Sequence, residues 1–319
     1  MRLDTLWPSH PRALHAAGPI LNFETWGLSG TLATENPDDL GVATQRLWYW
    51  IGAIDNACNR FRPDSEISTL NRHQAAPMPV STMFELALAA ALRAGELSAG
   101  LCDPTVLPAL LALGYDRDFD VVARQRCVVA GPAAPAPGVD AIHWDRSRHT
   151  VTLADGCTID LGASAKALVT DLVADEFVTH GGIVVEIGGD VAVRGRGPDG
   201  PWAIGVSDSL TITGREPRVS LENGGVATSS TTARSWVASE RVVNHIIDPR
   251  TGTCARGPYA TATVAAGDCV AANAFATAAL LWGDDAGYHI AQAGHSARLV
   301  RLDGTVEFVG GWPAEAVLA

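Results

Sequence analysis

The chain has 319 residues, with 23 Lys and Arg against 35 Asp and Glu, a formal net charge of −12, and 47% hydrophobic against 18% charged residues. That balance excludes an intrinsically disordered chain, and the negative field excludes nucleic acid as the main partner, because phosphate backbones are gripped by clustered Lys and Arg. A phosphorylated small molecule stays compatible if a side chain or a divalent metal places positive charge locally.

Residues 1–8 carry no long apolar run, and no later stretch is apolar enough to span a bilayer. The expectation is a cytoplasmic protein without a membrane segment. Apolar residues then recur at helical spacing over 39–61 (Leu40, Leu47, Trp50, Ile51, Ile54, Cys58), predicting a helix that runs into Asn59, Arg60 and Phe61. A second helix is expected after Pro79, with Thr82 and Glu85 at capping-box spacing, running toward Gly100 and delivering the chain to Cys102, Asp103, Pro104 and Thr105. The Pro- and Ala-rich stretch 131–138 reads as an exposed connection between two lobes of a single 1–319 unit, since each proline removes a backbone donor and fixes φ.

Beyond it, 149–153 and 183–187 read as strands flanking a helix over about 165–180 that Gly181 and Gly182 stop. Short strands follow at 191–194, 202–206, 242–247, 261–265 and 297–302, the last paired with 306–309 across Asp303 and Gly304. A helix over 271–282 interrupts them. The hairpins favour an α+β fold over a doubly wound parallel sheet. Six cysteines (Cys58, Cys102, Cys127, Cys157, Cys254, Cys269) form no Cys-x-x-Cys pair, so they read as reduced thiols and not as a zinc site or disulfide framework.

Several short patterns bear on chemistry. Gly195-Arg196-Gly197-Pro198-Asp199-Gly200 has dinucleotide spacing, but a strand and not a helix follows it, so a hairpin turn is the better reading. Ser164 and Lys166 do not have the S-x-x-K spacing of a serine-lysine hydrolase, because position 163 is Ala163. Lys166 is nevertheless the sole lysine among 23 basic residues, which marks a site needing a compact ammonium. The segment from Ile159 to Lys166 passes from an apolar strand through small residues into a helix, leaving open backbone donors that suit a diphosphate. Asp248-Pro249-Arg250-Thr251-Gly252 is a turn, placing His245 and Asp248 near a strand end where they reach a cleft. Asn273 and Thr277 share a helical face at i and i+4, two oxygens for one ion.

Five motifs, in order, resemble the ApbE-type FAD:protein FMN transferase family. They are Arg60-Phe61-Arg62-Pro63-Asp64-Ser65-Glu66-Ile67-Ser68 with Asn71; Asp103-Pro104-Thr105-Val106; Asp160-Leu161-Gly162 with Lys166 and Asp171; Glu186-Ile187-Gly188-Gly189-Asp190; and Ala227-Thr228-Ser229 followed by 245–252. The resemblance extends from Phe23 to Gly283. It implies a two-lobed ApbE-like α+β fold with a mixed, largely antiparallel sheet and packed helices. It also implies Mg²⁺-dependent transfer of FMN from FAD to a Thr or Ser hydroxyl of an acceptor flavoprotein, releasing AMP.

By the same resemblance Phe61 stacks on the flavin or adenine, Asp103 sits at the adenine end, and Gly162, Ala163, Lys166 and Asp171 lie around the phosphates. Thr228 and Ser229 line the flavin site, His245 and Asp248 form the catalytic pair, and Ala163, Asn273 and Thr277 hold the metal. The chain departs from the family pattern at Asn273, where Asp is usual four residues before Thr277, at Ala167 for Gly, and at Phe61 for Tyr. Loss of a carboxylate predicts weaker Mg²⁺ binding. Two alternatives stay open: an FAD pyrophosphatase giving FMN and AMP, and a flavin-binding protein whose catalysis has lapsed.

Overall fold

Nine strands whose order along the chain is also their order in space run through the whole molecule: β1 (Arg12–Ala17), β2 (Ile20–Thr25), β3 (Leu28–Thr34), β4 (Ile183–Ile187), β5 (Asp190–Arg194), β6 (Asn223–Ser230), β7 (Tyr259–Ala266), β8 (Ser296–Arg301) and β9 (Val306–Val309). Every neighbouring pair is antiparallel. The computed structural model describes residues 12–17, 19–124, 130–208 and 216–313. Among the described residues no helix is long and apolar enough to cross a membrane. Five of the six cysteines are described, and all five are free; Cys127 lies outside the described residues.

Helices gather on one face, among them α1 (Leu40–Cys58), α2 (Glu66–Arg72), α3 (Thr82–Leu97), α4 (Gly162–Glu176) and α5 (Cys269–Trp282), with Ala286–Gln292 over β8 and β9. α4 lies on β4 and β5, α5 lies on β6 and β7, and α1, α3 and α5 pack around α4. The stripe expected of α1 is the buried one: Leu47, Ile51 and Ile54 meet Phe84 and Leu88 of α3, Val169 and Val173 of α4, and Ile183, Val185 and Ile187 of β4. The alternate residues Val184, Val191, Val193 and Val226 face the other way, onto Ile204, Val206, Val219 and Trp312. Strands buried on both faces need near-continuous apolar sequence, which β4 and β5 have. A separate cluster gathers Leu107, Leu110, Tyr115, Trp236, Val243, Ile247 and Cys254, with Phe61 and Phe119 packed against it, and forms a second lobe.

The β4–β5 hairpin pairs Ile187 with Asp190, so its loop is Gly188 and Gly189, both at positive φ (60° and 90°). That is the backbone a type I′ turn requires, and it delivers Asp190 as the first residue of β5.

Four local expectations are corrected. The helix expected over about 165–180 spans Gly162–Glu176, starting earlier and ending before Gly181 and Gly182 instead of at them. The cap of α3 is Ser81 and not Thr82: its Oγ accepts from Phe84 N at 3.2 Å, while Glu85 accepts from Trp144 Nε1 at 2.9 Å and meets His149 Nδ1. The strand expected over 242–247 divides into Arg241–Asn244 and Ile247–Asp248. Its break is an Asx turn: Asn244 Oδ1 accepts from Ile246 N at 3.1 Å and its Nδ2 donates to Ala255 O at 3.1 Å, leaving His245 at the bend. Gly197 and Gly200 do bond to each other in a tight turn, but Trp202–Gly205 pairs with Arg218–Leu221 and not with β5.

The 131–138 connection is largely exposed, yet it is tied down along its length. Gly131 N donates to Ala112 O (2.6 Å), Ala136 N to Pro249 O (2.8 Å) and Gly138 N to Thr105 Oγ1 (2.9 Å).

Gly225 in β6 marks the closest approach between sheet and helix, because a Cβ there would stand 2.3 Å from Cys269 N at the start of α5. A Gly225→Ala substitution should therefore push α5 off the sheet and cost about 1–3 kcal/mol, read as a lowered urea midpoint. Gly267→Ala, where nothing lies within 4 Å, should change stability by less than about 0.5 kcal/mol.

Candidate active site

Four elements of the larger lobe meet where α4 begins. Lys166, in the first turns of α4, donates from Nζ to Asp190 Oδ2 at 2.6 Å. Asn273 on α5 donates from Nδ2 to Asp190 Oδ1 at 2.9 Å. Asp190 is 1% exposed, so both carboxylate oxygens are satisfied inside the protein. One turn further along α5, Thr277 Oγ1 and Ser229 Oγ of β6 share a hydrogen bond of 2.9 Å, and the adjacent Thr228 does the same with Thr263 of β7. Lys166, Ser229, Asn273 and Thr277 are thus brought together as the sequence suggests, whereas Thr228, next along the strand, turns to the opposite face of the sheet with Thr263.

The helix start is more occupied than the sequence implies. Asp160 Oδ1 accepts from Gly162 N at 2.8 Å, and Ser164 N and Ala165 N both turn back to Leu161 O. The exposed Ala163 N–H alone in this first turn has no partner among the described residues. Ser164 is buried with its hydroxyl on Leu161 O, which removes it as a nucleophile. Asn71 fixes the approach to the helix, exchanging two 2.9 Å bonds with the backbone of Ile159.

The smaller lobe is fastened to this corner at three points. Arg60 Nε pairs with Asp160 Oδ2 at 2.8 Å, with both side chains largely buried. The same guanidinium lies 4.1 Å from the Phe61 ring centroid and 4.7 Å from that of Tyr115, which holds Phe61 in place. Asp160 N donates to Pro104 O at 2.8 Å, and Cys102 Sγ donates to Ala274 O of α5 at 3.4 Å. Between these contacts sits Asp103, whose Oδ1 caps a short helical turn by accepting from Thr105 N and Oγ1. Arg60, Asp160 and Asp190 carry this arrangement; they stand within the quoted motifs, but nothing in sequence spacing assigns them their partners.

His245 sits at the bend made by Asn244, and its Nδ1 is sealed from solvent with no hydrogen-bond partner. Burial first, then the charges of Arg234 and Lys166, holds its imidazole down at about 3, so the ring is neutral at physiological pH. Asp248 does not bond to it: Oδ1 accepts from Arg250 N and Nε and Oδ2 from Arg250, which lowers the pKa of the carboxyl. Asp171 likewise turns inward, accepting from Cys269 N and Val270 N at 3.0 Å each to cap α5, while burial raises it to about 6. Burial, reinforced by Asp190, raises Glu186 to about 7 despite a bond from Gly189 N.

No group of three or more His, Cys, Asp or Glu side chains able to hold a metal occurs among the described residues. The donors present are hard oxygens. Among the described residues Asn273 Oδ1 accepts no hydrogen bond, while Thr277 Oγ1 bonds with Ser229 Oγ and also meets the Cys102 thiol. This fits a cation such as Mg²⁺, which takes one or two protein ligands and fills its sphere with water and substrate phosphate.

The neutral imidazole has a consequence for stability. The unfolded chain takes up a proton at His245 below about pH 6.5, which the folded chain refuses until about pH 3, so this residue's contribution is full above 6.5 and is lost as pH falls. The stability difference between wild type and His245→Gln should shift against wild type by up to about 1.4 kcal/mol per pH unit between pH 6 and 4. Urea melts of both proteins check this, and a difference independent of pH would show that the ring titrates normally.

Comparison with known proteins gives the lineage and the fold. The sequence profile of the ApbE family matches residues 28–300. The FAD:protein FMN transferase of Vibrio cholerae is 28% identical over 248 residues, covering 75% of this chain and 73% of the relative. That of Haemophilus influenzae is 27% identical over 262 residues, covering 78% and 76%. Among solved structures, the ApbE protein of Thermotoga maritima is similar with a TM-score of 0.75 at 24% identity, over 91% of this chain and 96% of that one. The apo flavinyl transferase ApbE of Pseudomonas stutzeri gives 0.72 at 22% identity, over 91% and 92%. These structural likenesses carry the fold, α+β with a largely antiparallel sheet, and the profile carries the lineage: the chain belongs to the ApbE family.

Proposed function

We propose that this chain is an FAD:protein FMN transferase, moving the FMN half of FAD onto a Thr or Ser hydroxyl of an acceptor flavoprotein and releasing AMP. Two relatives that carry that name, aligned over about three quarters of the chain, support the reading. The observation within the protein that carries it is a buried, neutral imidazole whose Nδ1 has no hydrogen-bond partner and which feels the charge of the sole lysine.

In this reading the acceptor oxygen attacks the FMN phosphorus, the bond from that phosphorus to the bridging oxygen breaks, and AMP carries the bridging oxygen away. His245 takes the acceptor's proton at Nδ1, the ring nitrogen that has no hydrogen-bond partner. Lys166 and the free Ala163 N–H face the diphosphate and favour the charge that builds on it. Phe61, braced by Arg60, offers an apolar face for a ring, and Ser229 supplies a hydroxyl beside Thr277. Asn273, Thr277 and the Ala163 carbonyl would hold Mg²⁺, which when bound neutralises diphosphate charge. Asp248, locked to Arg250, acts by fixing the turn that carries His245 and not by bonding to the ring.

Incubated with FAD, Mg²⁺ and a candidate acceptor, the protein should yield AMP in step with a fluorescent, covalently flavinylated acceptor. Free FMN with unlabelled protein would indicate hydrolysis instead, and absence of AMP with every acceptor would remove the transferase reading. His245→Gln should slow AMP release by about 10²- to 10⁴-fold while leaving FAD binding in place.

A further inference from the structure

The amide at 273 and the carboxylate at 190 form one unit. An ionised carboxylate only accepts hydrogen bonds, so the end of the Asn273 amide that meets Asp190 Oδ1 at 2.9 Å is its nitrogen. The oxygen is thereby turned to the opposite side. Asn273 Oδ1 accepts no hydrogen bond among the described residues, and it is not one of the sealed partnerless atoms, which are Thr25 Oγ1, Trp202 Nε1 and His245 Nδ1. It therefore faces accessible space, on the same side of α5 as Thr277 one turn on. Asp190 meanwhile pairs with the Lys166 ammonium at 2.6 Å.

We propose that Asp190 supplies the negative charge of a divalent-cation site whose ligand oxygen is Asn273 Oδ1, so that two residues divide the work of one carboxylate. The inference rests on the transferase reading for the cation, Mg²⁺, and adds Asp190 as the positioning and charge-bearing residue. Asn273 is then a donor matched to Asp190, not a lapse. An Asp at 273 would set oxygen against oxygen with no donor between, and one carboxylate would be driven away from its place. Exchanging the two residues preserves everything: an Asn at 190 donates to an Asp at 273 and still accepts from Lys166.

The probe is Mn²⁺ alone, followed by the loss of its free electron paramagnetic resonance signal, with Mg²⁺ as competitor. Asp190→Asn should weaken Mn²⁺ binding by about tenfold or more, since ligand-shell charge sets affinity for a hard cation. The exchange variant Asp190→Asn/Asn273→Asp should recover to within about threefold of wild type and regain the wild-type melting temperature. Asn273→Asp alone should lower the melting temperature. The proposal is overturned if Asp190→Asn binds as wild type does, if the exchange binds no better than Asp190→Asn, or if wild type takes up no Mn²⁺. AMP release by wild type from FAD, measured with and without chelator, is read separately: chelator-insensitive AMP would keep the transferase reading and sink this one.

Discussion

A carboxylate that is almost wholly buried must be matched where it stands, and Asp190 is matched from two directions at once. Its partners come from α4 and α5, so one residue fixes the spacing of a strand and two helices. Removing either partner would leave a charge in a low-dielectric setting, a cost several times that of an ordinary lost contact. The hydrophobic layer beneath, Val169 and Val173 of α4 against β4, sets how far the helices stand from the sheet. The ion pair sets their register. Packing alone tolerates sliding, whereas a 2.6 Å charge-assisted bond does not.

The smaller lobe uses the same logic at its boundary. Arg60 joins Asp160 while lying over Phe61 and Tyr115, so one guanidinium ties the aromatic cluster to the start of α4. Planar delocalised charge suits both tasks, which a lysine could not combine. The carboxylates that frame the site share this trait. Asp160, Asp171, Asp190 and Asp248 are each committed to a named internal donor. His245 is the contrary case, a polar atom held dry without a partner. Natural interiors seldom leave such an atom unless something else comes to meet it.

Much of this was legible in the sequence where the signal was local. The α1 stripe, β4, the β8–β9 hairpin and the end of α5 at Gly283 follow from apolar period and turn residues. Strand β6 was not legible: Asn223-Gly224-Gly225 lacks the branched and aromatic residues that mark strands, and glycine is there because Cys269 approaches so closely. The break at His245 was hidden because Asn244 wins its neighbours' backbone through its side chain. Lys166, His245 and Asn273 were each visible as residues worth watching. Their relations were not, because Asp190 lies 24 residues from Lys166 and 83 from Asn273, and spacing says nothing across such distances.

The tight Gly188-Gly189 reversal reaches beyond its two residues. Both positions sit at φ values that other amino acids resist, so the backbone enters β5 by a single route and Asp190 arrives already aimed. Little conformational freedom remains to be frozen when a ligand docks. Charge at this corner is accordingly preorganised by the main chain itself, and a guest meets a fixed electrostatic landscape instead of one assembled around it.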